Sequence, residues 1–113
     1  MGGRGGNSHL QPALTYARLP IATLFRGGGT PAEKKQRRDT ISSFIKNAKA
    51  GDVYSQGAGI GSTGGQFEIV SYRRSPNGLG IRAVNSNRRV VALTSSNAAS
   101  FLTNGATLVR RKR

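Results

Sequence analysis

Gln66-Phe67-Glu68-Ile69-Val70-Ser71-Tyr72-Arg73, followed by Pro76-Asn77-Gly78 and then Leu79-Gly80-Ile81-Arg82-Ala83-Val84, is the stretch that decides the fold. Phe67, Ile69 and Ser71 alternate with Val70 and Tyr72, the period-two pattern of a strand. Asn-Gly is the strongest short hairpin signal, so the spacing predicts a strand over Gln66–Arg73 and a returning strand over Leu79–Val84. Further along, Asn85-Ser86-Asn87 reads as a second turn. Arg88–Thr94, with its Val90-Val91-Ala92-Leu93 centre, reads as a third long strand. Asn97–Leu102 has the length of a helical turn that buries Phe101 and Leu102. Asn104-Gly105 turns the chain into a last strand, Ala106–Arg110.

Upstream, the signals change type. Val53-Tyr54 begins a short strand, and Asp52 before it suits a carboxylate that closes a turn. Thr30-Pro31-Ala32-Glu33 is a helix start: the Thr30 hydroxyl caps, Pro31 fits the first helical position, and Glu33 completes a capping box. Ile41, Phe44, Ile45 and Ala48 then fall at helical spacing on one face, and Gly51 supplies a stop, so a helix is expected over residues 31–50. Its first half carries Lys34, Lys35, Arg37 and Arg38 without a large apolar residue, and is expected to project into solvent. Residues 1–29 form a basic arm. Residues 1–9 are Gly-rich and expected to be flexible, and Pro12 and Pro20 break residues 10–26 into an irregular segment that docks on the domain or on a partner. Residues 30–113 are expected to be one α+β domain with a basic C-terminal tail. One helix precedes a five-stranded antiparallel sheet over residues 52–111, closed as an SH3-like barrel or open with the helix on one face.

The chain holds 18 Lys+Arg against 4 Asp+Glu, a net charge of +14 with a pI near 11.8. So large a surplus repels itself until an anion neutralises it. Arginine outnumbers lysine, and its planar fork grips phosphate with two donors at once, which points to nucleic acid over a lipid surface. There is no Cys, hence no disulfide framework and no thiolate metal site. No apolar run reaches the roughly 20 residues of a membrane span, and the N-terminus lacks a secretory apolar stretch. Gly2 is followed by Gly6 where an acylation motif needs Ser or Thr. A cytoplasmic protein is the expectation.

Catalytic chemistry finds little to work with. The sole His is His9, in the arm. Glu33, Asp39, Asp52 and Glu68 are scattered and form neither an acid–base pair nor a hard-cation cage. Gly59-Ile60-Gly61-Ser62-Thr63-Gly64 matches G-x-G-x-x-G in form, but a strand follows it where a dinucleotide fold needs a helix. Residues Gly57–Gly65 are therefore expected to be a mobile hairpin loop, and no cofactor and no enzymatic activity are expected.

The residues expected to meet a partner are the basic clusters. They are Lys34, Lys35, Arg37 and Arg38 on the helix, Arg73-Arg74 and Arg88-Arg89 at hairpin ends, and Arg110-Arg111-Lys112-Arg113 at the C-terminus. With few acids nearby, they are not expected to be consumed in internal ion-pair networks. Arg4 and Arg26 each begin an Arg-Gly-Gly tripeptide suited to following a phosphate backbone. Tyr72, beside Arg73-Arg74, is the expected stacking residue, while Tyr54, Phe67 and Phe101 are expected to serve the core. Non-specific phosphate binding to a nucleic acid or a nucleoprotein complex is the leading functional expectation.

Met1-Gly2-Gly3-Arg4-Gly5 resembles the start of small basic proteins encoded by phages and prophages of Gram-positive bacteria. The resemblance implies a viral origin and a place in the host cytoplasm, and it transfers no functional residue. It opens two alternatives: an anti-CRISPR-like inhibitor that binds a host nuclease or other nucleoprotein enzyme, and a structural virion component.

Overall fold

The computed structural model describes residues 14–60, 62–84 and 89–111. Its elements run β1 (Thr15–Tyr16), a short 3-10 turn (Ile21–Leu24), α1 (Pro31–Asn47), β2 (Val53–Gly59), β3 (Ser62–Ser71), β4 (Leu79–Ala83), β5 (Val91–Ala92), α2 (Ser95–Leu102) and β6 (Ala106–Arg110). Arg88, Lys112, Arg113, His9, Arg4 and the Asn85–Asn87 turn lie outside the described residues.

The helix begins where its cap dictates. Thr30 N donates to Glu33 Oε1 at 2.8 Å and Glu33 N donates to Thr30 Oγ1 at 3.1 Å, closing a reciprocal capping box with Pro31 at the first position. It ends at Asn47, three residues before the expected limit, because Ala48 is extended (φ −69°, ψ 138°) and tips the chain into a turn. That turn is closed by the Asp52 carboxylate, which accepts from Lys49 N at 2.9 Å, and by Gly51 at φ 98°. The apolar face is as the spacing requires: Phe44 and Ala48 are buried, Ile41 and Ile45 half-buried against the core. In the first half of α1 Lys34, Lys35 and Arg38 are exposed and Arg37 is half-buried, and the helix also contacts the 3-10 turn.

All strand pairs are antiparallel, in the order β1-β6-β2-β3-β4-β5. β1 and β5 are edges of this sheet, so it is open, the second of the two architectures compatible with the sequence. There are six strands rather than five. The additional one is β1, through which the segment after residue 13 docks on β6 (Thr15↔Thr107, Tyr16↔Ala106). Register places Tyr54, Phe67, Ile69, Ile81, Ala106 and Leu108 on one face, and both helices pack there. Tyr16, Phe44, Tyr54, Phe101 and Phe67 form an aromatic cluster with neighbouring ring centroids 5.1–6.2 Å apart, mostly edge to face. The opposite face presents Thr15, Ser55 and Thr107 with the Glu68–Arg82 pair.

Three further expectations are corrected. The Gly57–Gly65 segment is not a mobile loop: β2 runs to Gly59, β3 starts at Ser62, and Gly59 pairs with Ser62 across a tight turn. Asn104 clamps that tip, its Oδ1 accepting from Ile60 N at 3.1 Å and its Nδ2 donating to Ile60 O at 2.7 Å. A Cβ on Gly57 would lie 2.2 Å from Asn104 O, so glycine serves close approach here, not flexibility. Asn77-Gly78 does not make a two-residue hairpin, because Ser71 pairs with Leu79 and residues 72–78 form the loop. Asn77 Oδ1 accepts from Leu79 N at 3.1 Å and Ser75 Oγ donates to it at 2.6 Å, which favours a longer turn over the tight one. Finally, the strand expected over Arg88–Thr94 is paired only at Val91–Ala92, after which Leu93 is buried and Thr94 caps α2 through Asn97 N.

Candidate nucleic-acid interface

The four carboxylates determine which cations remain free. Glu33 is held by the α1 cap. Asp39 takes Lys35 one helical turn away at 2.7 Å, and Glu68 takes Arg82 across the β3–β4 ladder at 3.2 Å. Asp52, fully buried, takes Arg111, whose Nε and Nη2 donate to its two oxygens at 3.0 Å. Lys35 and Arg111 therefore depart from the expectation that the basic clusters stay out of ion pairs: each has a carboxylate of its own. The pairs are separate, and with all four acids engaged, Lys34, Arg38, Lys46, Lys49, Arg73, Arg74, Arg89 and Arg110 have no carboxylate partner among the described residues.

Strand direction decides where these cations gather. β2 starts, β3 ends, β4 starts and β6 ends at the same edge of the sheet. That end therefore collects Arg73 and Arg74 from the β3–β4 loop, Arg110 from the end of β6, and Lys46 and Lys49 from the last turn of α1 and the link into β2. All five side chains are exposed. A cleft of about 500 Å³ lies at this end, lined by Ala50, Gly51, Glu68 and Ser71 and, of the five cations, by Arg110 alone. Segments far apart in sequence thus converge on one patch whose only acids, Asp52 and Glu68, are already neutralised. Clustered cations without counter-charges are the electrostatic footprint of a polyanion site.

Other expected contacts lie elsewhere. Lys34, Arg38, Ser42 and Lys46 follow one another at four-residue spacing along an exposed ridge of α1, which reaches toward the basic end. Arg37 is half-buried with Nη1 shielded from solvent and unpaired, so it does not share that ridge. Arg89 precedes β5, at the far end of the sheet. Tyr72 is half-buried at the base of the β3–β4 loop, its N donating to Gly78 O at 2.8 Å. Lys46 and Lys49 were not singled out by sequence. They sit three apart near the end of a helix whose basic signal lies in its first half, and only the tertiary fold brings them beside Arg73 and Arg110.

Arg111 has a structural position. Besides Asp52, its Nη2 donates to Asn47 O at 2.9 Å and so ties the end of α1 to the end of β6. The hydrogen-bonded Asp52 carboxylate holds the Arg111 guanidinium above its usual value, against a smaller opposing effect of burial. Next to this pair, the Tyr54 phenol is pushed well above the ordinary tyrosine value. Burial is the main cause, the neighbouring Tyr16 and Asp52 add to it, and Arg111 partly offsets it. Neither Tyr54 OH nor Tyr16 OH has a hydrogen-bond partner among the described residues.

Among the described residues no cluster of three or more His, Cys, Asp or Glu could hold a metal, and no helix is long and apolar enough to cross a membrane. Fold and site together define a small α+β protein with an uncompensated basic end on an open antiparallel sheet. No protein-family model, curated protein or solved structure matches this chain.

Proposed function

We propose that this is a non-catalytic nucleic-acid-binding protein that engages phosphates through the basic end of its sheet and the adjoining ridge of α1. The observation that carries the reading is the complete engagement of the four acids, which leaves Lys46, Lys49, Arg73, Arg74 and Arg110 grouped and unneutralised. Phosphate contacts of this kind give affinity without base specificity and make it depend steeply on salt, with a slope of about 0.9 per phosphate neutralised on duplex DNA. The test is a salt titration of binding to duplex DNA and RNA by fluorescence anisotropy. Arg73→Ala, Arg74→Ala and Arg110→Ala combined should weaken binding to all sequences and lower the salt slope by about 2–3. An unchanged slope in the triple variant removes this end of the sheet from the interface.

A protein partner is the second reading, and one observation favours it. Ile21 and Phe25, 62% and 67% exposed, form an apolar ridge on the 3-10 segment between Arg18 and Arg26. Exposed apolar side chains flanked by cations suit an acidic protein surface. Stoichiometric complex formation with a host nuclease, lost in Phe25→Ser but retained in the Arg73/Arg74/Arg110 variant, would select this reading.

A further inference from the structure

A second concavity has a character opposite to the basic end. It is an open cleft of about 870 Å³ between the β2–β3 hairpin, the β4–β5 edge and the outer face of α2. Among the described residues no Lys, Arg, Asp or Glu lines it. Its floor is apolar: Phe67, Ile81 and Val91, the last 46% exposed although it sits opposite the buried Ile81. Its rim carries neutral amides and hydroxyls, among them Gln56, Asn97 and Ser100.

We infer that this cleft receives an unpaired nucleobase of a single-stranded nucleic acid whose phosphates are held by the flanking cations, an inference that rests on the nucleic-acid reading above. Three features of the cleft match a base and not a phosphate. The first is the absence of charge, since a phosphate transferred into an uncharged, partly apolar site would lose hydration without an ionic partner. The second is a supported ring. Phe67 is only half-buried, and Phe101 braces it edge to face at 5.2 Å and 77°, which fixes its plane as a surface for stacking. Beside it, Gly65 has no atom within 4 Å of where a Cβ would stand, so that wall of the hairpin is bare backbone open to a flat ligand. The third is oriented amide chemistry. Asn97 Nδ2 donates to Ala92 O at 2.8 Å, which sets the amide plane and leaves Oδ1 without a partner among the described residues. Gln56, on the same face of the sheet as Phe67, likewise donates Nε2 to Phe101 O at 2.9 Å and leaves its Oε1 without a partner among the described residues. Side-chain amides at fixed orientation are the groups that match base edges. Arg89, exposed two residues before the floor residue Val91, offers a cation for the adjoining phosphate.

The inference is tested by anisotropy with three labelled probes of equal length at matched ionic strength: a thymidine homopolymer, an abasic strand and a duplex. The thymidine strand should bind about tenfold more tightly than the abasic strand, the effect of one stacked base. Phe67→Leu, which keeps volume but removes the ring, should erase that preference while leaving duplex affinity and the salt slope unchanged. Gln56→Ala should reduce the preference about threefold by deleting one amide. Equal binding of thymidine and abasic strands by the native protein overturns the base site and leaves the phosphate reading standing. A preference undiminished in both variants also overturns it, by placing the base elsewhere. Failure to bind any of the three probes at low ionic strength overturns the nucleic-acid reading itself.

Discussion

Replacing Arg111 by Ala should destabilise the domain far more than replacing its neighbour Arg110, although sequence presents the two as one basic tail. Asp52 is 0% exposed and accepts three hydrogen bonds: one from Lys49 N at 2.9 Å and two from Arg111 at 3.0 Å. Arg111→Ala leaves a buried carboxylate with a single backbone donor, and Asn47 O loses its donor as well. Breaking a fully buried pair from one side costs ~3–5 kcal/mol, whereas exposed pairs contribute ~0–1 kcal/mol. The Arg111 side chain is 35% exposed, so water enters the gap it leaves and the cost falls between these limits, at about 2–3 kcal/mol. For a domain of this size that lowers Tm by about 10–20 °C. Arg110 is exposed and lacks a carboxylate partner, and Arg110→Ala should stay within ~0.5 kcal/mol of the native protein. Urea unfolding followed by circular dichroism, with equal m-values for the variants, is the assay. Asp52→Asn added to Arg111→Ala should recover part of the loss, because an amide is cheaper to bury than an unpaired charge. If Arg111→Ala unfolds within about 0.5 kcal/mol of Arg110→Ala, the ion pair is not the support assigned to it.

The Tyr54 phenol is held above its ordinary pKa in the folded protein, so folding retains a proton that the unfolded chain releases near pH 10. Stability should be flat with respect to this group below that pH and fall above it, and Tyr54→Phe should remove that part of the decline in urea midpoints measured against pH. At neutral pH Tyr54→Phe should be no less stable than the native protein, because the hydroxyl it deletes is buried without a partner. Asn104→Ala removes both hydrogen bonds to Ile60 and should cost about 1–3 kcal/mol while hydrogen exchange at Ile60 N–H accelerates. Thr30→Ala breaks the capping box and should cost about 1 kcal/mol, read as a lower urea midpoint.

What could be read from the sequence was local. The Thr30–Glu33 box acts over three residues, and the alternation of Phe67 and Ile69 needs only the strand itself, so both are visible without a fold. The hairpin tip was misread because Gly57–Gly65 has the composition of a loop, while the residue that stiffens it, Asn104, arrives 44 positions later. β1 is two residues long and carries no periodicity to detect. Arg111 looked free for the same reason: its carboxylate lies 59 positions upstream. The basic end shows both sides of this. Arg73, Arg74 and Arg110 stand out as charges in any reading, but their grouping with Lys46 and Lys49 follows from antiparallel strand direction and could not be seen from spacing. The neutral cleft had no signature at all, since Gln56, Asn97 and Val91 gain their meaning only by lining one cleft.

The buried pair also bears on how the basic end presents its charge. Successive side chains of an extended chain point to opposite sides. With Arg111 drawn inward onto Asp52 and tied to Asn47, Arg110 immediately before it is directed outward, opposite Val53 in the ladder. The same anchor joins the end of α1, and with it Lys46 and Lys49, to the end of β6. A cation displayed on a fixed backbone loses less conformational freedom on meeting a phosphate than one on a loose tail, so more of its attraction survives as affinity. The ion pair that neutralises one arginine thus makes its neighbours more effective. If the protein binds phosphates as proposed, the consequence is a separation of effects at adjacent residues: Arg111 would act on binding only through the order it imposes, and Arg110 through its own charge. Lysine at 110 should therefore preserve most of the salt slope, and lysine at 111, with no planar fork to span both Asp52 oxygens, should lower the urea midpoint while leaving that slope nearly intact.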